Sequence, residues 1–246
     1  MDFGINIDKV YQKVLAIANK EQRGYITPQE FNLLANQAQM EIFEQYFYDL
    51  DQFRAKPGND TTYSDMIDLI EEKIDIFEKY RIPIQLQDSS VENGLYLLPD
   101  GYYRMGELYY LCNGRYLEIE KILQNEIHHI INSPLTEPTI NRPVYVRATA
   151  LTGDNDRFVQ LYPTTINSGV VCNYISRPST VEWSYTTVLD EVLYNANNST
   201  DFELHMSEET NLVVKILELA GIIIKQQDVY SIANQEEVQD KQQEKV

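Results

Sequence analysis

The chain has 246 residues, 24% charged and 43% hydrophobic, which is enough length for one or two cores and an ordinary balance for a soluble globular protein. Against 38 acidic side chains stand 20 basic ones, so the formal charge is −18 at pH 7. A field of that sign repels phosphate and weighs against nucleic-acid affinity through a basic footprint, but not against a protein that surrounds DNA without gripping it.

The start of the chain, Met1-Asp2-Phe3-Gly4-Ile5, lacks the basic head and apolar run of a signal peptide. Helical spacing of Ile7, Val10, Tyr11, Val14 and Ala18 then predicts a first helix, ended by Gly24. Thr27-Pro28-Gln29-Glu30 is a strong restart. The threonine hydroxyl can accept from the Glu30 amide, the Glu30 carboxylate can reach back, and proline at the first helical position loses no hydrogen bond. Phe31, Leu34, Ala35, Ala38, Ile42, Tyr46, Leu50 and Phe53 carry the apolar stripe onward. That helix is roughly 40 Å long at about 1.5 Å per residue. Lys56 to Asp60 reads as a loop, and Ser64 or Asp65 as the cap of a third helix reaching about Tyr80, with a solvated acidic face.

From Arg81 the period changes. Ile82, Ile84 and Leu86 alternate as in a half-buried strand. Leu95–Tyr103 and Glu107–Cys112 read as further strands, and Asn113-Gly114 as a two-residue hairpin turn into Tyr116–Ile119. A helix is expected from about Lys121 to Asn132. The stretch from Ser133 to Trp183 then predicts three short strands punctuated by prolines, a compact β module: Val144–Ala148, Val159–Leu161 after a turn at Thr152–Asn155, and Val170–Ile175. Leu189 to Thr200 is Asn-rich and reads as a loop. Ser207-Glu208-Glu209 starts another helix, which Gly221 stops, and a last helix of low apolarity is expected over about Gln227 to Lys241.

The fold class is therefore α+β, with an N-terminal helical hairpin or bundle over residues 1–80 and a central antiparallel β-rich region over 81–204 that holds one inserted helix. A C-terminal helical tail completes the chain over 205–246. No apolar run approaches a membrane span.

Groups able to do chemistry are scarce. His128 and His129 are adjacent, so on a helix they point about 100° apart and cannot share a metal as an i, i+4 pair would. His205 precedes a helix start and suits a local hydrogen bond. Cys112 and Cys172 are too few for a disulfide scaffold and too far apart in sequence for a zinc motif, so free thiols in a reducing compartment are expected. Asp154-Asn155-Asp156 lacks the glycine and terminal glutamate of a calcium loop and reads as a turn. No nucleophile elbow, P-loop or dinucleotide fingerprint occurs. The expectation is a non-enzymatic protein without catalytic, cofactor or metal residues.

Interaction chemistry is better represented. Tyrosine occurs 18 times against one tryptophan and eight phenylalanines. A rigid ring with a polar tip suits half-wet contact surfaces as well as core edges. Tyr174, Arg177, Pro178 and Trp183 admit two readings, a stacked corner that docks a partner or a packing lock at a strand end.

These residues, in their order along the chain, resemble those of a known group. Asn132-Ser133-Pro134, Pro138-Thr139, Pro143-Val144-Tyr145 and Gln160-Leu161-Tyr162-Pro163 are followed by Tyr174-Ile175-Ser176-Arg177-Pro178 and Trp183. Phe202-Glu203-Leu204-His205 leads into the C-terminal helix, and Asn19 to Pro28 fits the same group. The chain resembles structural proteins of tailed bacteriophages, especially crAss-like and related podoviruses, similar in arrangement to head-to-tail adaptors or neck ring proteins. The resemblance implies a ring, typically dodecameric, attached below the portal and joining it to the tail, with genomic DNA passing through unread. The implied partners are further copies of the chain, the portal and other neck or tail proteins, and the implied location is the virion after synthesis in the host cytoplasm. It carries no catalytic residues. A tail hub, tail-tube or fibre-attachment protein is the nearest alternative, and a phage-encoded intracellular enzyme or regulator the third.

Overall fold

The structure is a computed structural model that describes residues 4–20, 26–55, 61–86, 94–149, 157–188 and 191–223. The fold is α+β and divides into two compact units. One unit joins residues 1–76 to residues 178–246, and the other is Phe77–Arg177. Three consecutive regions were expected. Instead the chain beyond Pro178 returns to the N-terminal helices, because its extended segments and last helix carry the apolar partners those helices need.

The helical unit is built on α1 (Ile7–Lys20), α2 (Pro28–Ala55), α3 (Thr61–Asp75) and α5 (Glu209–Ile223). The start of α2 is the capping box that the sequence predicts. The Glu30 amide donates to Thr27 Oγ1 at 3.3 Å, and the Thr27 amide donates back to Glu30 Oε2 at 3.0 Å. Val10, Val14, Phe31, Ala35, Ala38, Phe43, Leu212 and Ile216 are buried along the apolar stripes, at no more than 0% exposure each. α3 ends at Asp75, earlier than its apolar spacing suggests, because the chain from Glu78 is drawn into a sheet. Non-local strand pairing overrides local helical period here. α5 passes through Gly221 to Ile223, two residues past the expected stop. Within the stretch Leu189–Thr200 expected as a loop, Glu191–Tyr194 is instead a strand, β10, paired antiparallel with β9 (Tyr185–Val188). The Thr, Val and Tyr content of these two strands favours extended backbone. The stop at Gly24, the loop at 56–60, the turn at 152–155 and the last helix over 227–241 lie outside the described residues.

The sheet unit contains β1 (Glu78–Pro83), β2 (Gln85–Leu86), β3 (Leu95–Leu97), β4 (Tyr102–Cys112), β5 (Arg115–Lys121), α4 (Ile127–Ile131), β6 (Val144–Thr149), β7 (Arg157–Tyr162) and β8 (Val170–Ser176). Its strands run in the order β1-β8-β4-β5-β6-β7-β3-β2. The two ends of that order are consecutive in the chain, separated only by Ile84, whose amide still bonds to the Val170 carbonyl at 3.1 Å. The sheet therefore curls back to its own first strand. One cluster gathers a buried residue from every side of it, including Ile84, Tyr96, Leu108, Ile119, Tyr145, Val159, Leu161, Val170 and Cys172.

The sheet departs from expectation in several places; the expected strands Leu95–Tyr103 and Glu107–Cys112 are divided instead as Leu95–Leu97 and Tyr102–Cys112. β8 was expected beside β6 and β7 in one proline-bounded module, yet it pairs with β1 and β4 on the far side of β5. The sheet is not wholly antiparallel, because β5 and β6 run parallel. A parallel pair needs a crossover, and the short α4 supplies it. The inserted helix is accordingly cut from 121–132 to Ile127–Ile131, with Lys121 at the end of β5. α4 lies over the outer side of β6, where Ile122, Ile127, Val144 and Val146 form a second small core. The Asn113-Gly114 turn holds as read, both residues at positive φ, 50° and 78°.

Candidate functional site

His128 and His129 are exposed on α4. His205 caps the 3-10 turn Met206–Glu208 that leads into α5, its Nδ1 accepting from the Ser207 amide at 3.3 Å. Cys172 is buried, and burial pushes its thiol up to about 12, well out of nucleophile range. No group of three or more His, Cys, Asp or Glu able to hold a metal occurs among the described residues.

The four residues proposed as a corner fall in two different units. Tyr174 is on β8, half-buried, its hydroxyl pushed up by burial first and by Cys172 second. Arg177 is exposed, and its amide donates to the Gly101 carbonyl at 2.7 Å. Pro178 and Trp183 belong to the helical unit. Trp183 is 5% exposed. Its ring lies 4.5 Å from that of Tyr11 and stacks on Tyr185 and Tyr194 at 6.0 and 5.5 Å, while its indole N–H donates to Asp8 Oδ1 at 3.0 Å.

The device that seats this segment was missed in the sequence. Asn32, Asn36 and Gln39 project from α2 onto the extended run Ser179–Trp183 and bond to its backbone at alternate residues. Asn32 accepts from the Trp183 amide at 2.8 Å and donates to the Trp183 carbonyl at 3.2 Å. Asn36 does the same with Val181, at 2.9 and 2.8 Å. Gln39 donates to the Ser179 carbonyl at 2.8 Å and accepts from the Glu203 amide at 3.3 Å. The pitches match: four helical residues rise about 6 Å, close to the span of two strand residues. A helix thus stands in for a neighbouring strand. The available signal was three amides at helical spacing inside an apolar stripe that also holds Phe31, Ala35 and Ala38.

On the sheet unit, the outer face of β1, β4 and β5 gathers tyrosines and carboxylates. Tyr109 lies opposite Glu118, and Leu111 opposite Tyr116. The rings of Tyr109 and Tyr116 meet edge to face at 6.5 Å. The Tyr80 hydroxyl donates to Glu78 and that of Tyr109 to Glu107, each two residues back on the same side of its strand. The Glu107 hydrogen bond leads the causes that raise the Tyr109 hydroxyl above its ordinary value. Arg81 crosses this face, its guanidinium 4.7 Å from the centre of the Tyr116 ring. It sits at φ 54° where the β1–β8 register shifts, and its amide donates to Asn173 Oδ1 at 2.8 Å. Tyr80 and Tyr116 remain 61% and 43% exposed. A strained arginine laid over an exposed tyrosine cluster has the composition of a binding hot spot.

Charge is divided as unevenly as the chemistry. The helical unit's residues include 27 acidic and 11 basic side chains, −16, whereas the sheet unit has 11 and nine, −2. No described helix is long and apolar enough to cross a membrane. No protein-family model matches the chain, and no curated protein matches it.

Proposed function

We propose that this chain is a non-enzymatic structural protein of a tailed-phage virion, a head-to-tail connector that assembles as a ring below the portal and extends the DNA channel. The division of charge is the observation that carries the reading. One unit is strongly acidic and fit to line a path along which DNA slides without sticking. The other is close to neutral and offers tyrosines and an arginine, the side chains that hold protein partners. The order of motifs from Asn132 to Trp183 supports a phage origin.

The decisive measurement is mass spectrometry of purified particles with the copy number per particle, paired with electron microscopy of the isolated chain alone and with its portal. A ring copy number and ring-shaped particles are expected. Absence from virions, or monomers under both conditions, would end this reading.

A further inference from the structure

Two kinds of sheet edge occur among the described residues. The eight-stranded sheet returns to its first strand, whereas the β9–β10 sheet stops at two strands. The Asn195 amide donates to the Ser184 carbonyl at 2.9 Å, which makes 184 and 195 a hydrogen-bonded pair. Alternation along an antiparallel ladder then turns the backbone groups of Thr186 and Leu193 toward each other, and those of Tyr185, Thr187, Val192 and Tyr194 outward. No described residue pairs with those outward groups.

The hairpin is also bare on both faces. Neighbouring side chains along a strand point to opposite sides, yet Val192 is 38% exposed and Leu193 49%. Thr186 and Thr187 are exposed as well. Its base is nevertheless fixed, through the stacking of Trp183 on Tyr185 and Tyr194 and through the Ser184 amide, which donates to Ser199 Oγ at 3.0 Å. Proteins usually blunt such an edge with lysine, proline or a bulge. Tyr185–Tyr194 contains no lysine and no proline, and its register is continuous.

We propose that β10 of one copy adds to the free edge of β9 in the next, so that the hairpins of successive copies join into one antiparallel belt. The occupant follows from the edges themselves. An open edge is recognised by another open edge, and this hairpin has one on each strand. β9 and β10 run in opposite directions, so the pairing of β10 with a neighbour's β9 is antiparallel like the hairpin itself. The contact joins two different surfaces, leaving each copy with one edge to pass on. That is a heterologous interface, which builds rings when the rotation closes. The inference rests on the self-assembly in the proposed function and names the strands that carry it.

The test uses the full chain and residue-resolved hydrogen exchange, comparing the dilute monomer with the assembled form identified by native mass spectrometry. The amides of Tyr185, Thr187, Val192 and Tyr194 are expected to slow by about tenfold or more on assembly, with those of Thr186 and Leu193 protected in both states. Thr187→Pro and Val192→Pro remove an outward donor from each edge and are expected to leave monomers. Assemblies in which the outward amides exchange as fast as in the monomer would overturn the belt and leave the ring reading standing. Protection of one edge alone, in a closed dimer, would overturn head-to-tail addition. A chain that stays monomeric at every concentration and with its portal would overturn both.

Discussion

The helical unit and the sheet unit are held together by different bonds. In the sheet unit the backbone does the joining: an eight-stranded ladder returns on itself, and its core needs only apolar side chains of suitable size. In the helical unit two distant stretches of chain meet without a continuous ladder. Side chains make the join, through the amides of α2, the Trp183 stack, and an ion pair in which the half-buried Lys73 reaches the buried Glu208 at 2.6 Å. A ladder spreads its stability over many equivalent bonds. A join made by a few side chains concentrates it, so the helical unit is where single substitutions should matter most.

Two internal probes separate the units. Trp183, the only tryptophan, reports on the helical unit, and the buried thiol of Cys172 reports on the sheet unit. Trp183→Ala carries the largest expected effect. It empties a site bounded by Tyr11, Tyr185 and Tyr194 and orphans the Asp8 contact, a loss of about 4 kcal/mol. Calorimetry should show an early helical-unit transition while Cys172 labelling by a thiol reagent stays as slow as in the parent chain. Faster labelling would mean that the sheet unit depends on its neighbour, and the contrast between the units would fail.

Asn36→Ala comes next. Val181 is 1% exposed, and the substitution leaves its amide and carbonyl without their side-chain partner. A cost of about 2 kcal/mol is expected, again confined to the helical unit in denaturant titrations followed by Trp183 emission. A neutral outcome would show that solvent serves the Ser179–Trp183 run as well as α2 does.

How much of this was legible in the sequence follows the range of the interactions. The capping box at Thr27, the apolar stripes of α1 and α2, the Asn113-Gly114 turn and the α+β class are local signals, and all are present. Strand partners are not local. Nothing in Val170–Ser176 distinguishes a neighbour of β6 from a neighbour of β4, so β8 was expected in the wrong place. The same holds for Glu78–Tyr80, which the helical spacing of α3 was expected to include and which pair with β8 instead. Domain limits are hard to read from sequence for a related reason, since a unit assembled from both ends of the chain leaves no compositional boundary. Among the candidate site residues, Trp183 and Pro178 were grouped with Tyr174 and Arg177, which belong to the other unit. The Tyr109–Tyr116 face was invisible, because only β-sheet register brings those residues together with Arg81.

The smallest effect tests whether that face is built for contact or for stability. Arg81 occupies a left-handed backbone position that costs a non-glycine residue about 1 kcal/mol. Its ring contact with Tyr116 returns about 0.5–1 kcal/mol at an exposed site. Arg81→Ala keeps the backbone cost and loses the ring contact, whereas Arg81→Gly loses the contact and relieves the backbone. The glycine variant should therefore be more stable than the alanine variant by about 1 kcal/mol, and close to the parent chain, in thermal melts of the sheet unit. Equal stabilities for the two variants would mean that the β1–β8 register shift does not impose the left-handed turn. If the difference appears and both variants bind the portal or each other more weakly than the parent, the guanidinium serves the surface rather than the fold. In that outcome the strained position is accounted for by the cation that Arg81 lays across Tyr116. A chain built only for a stable sheet would do as well with glycine at 81.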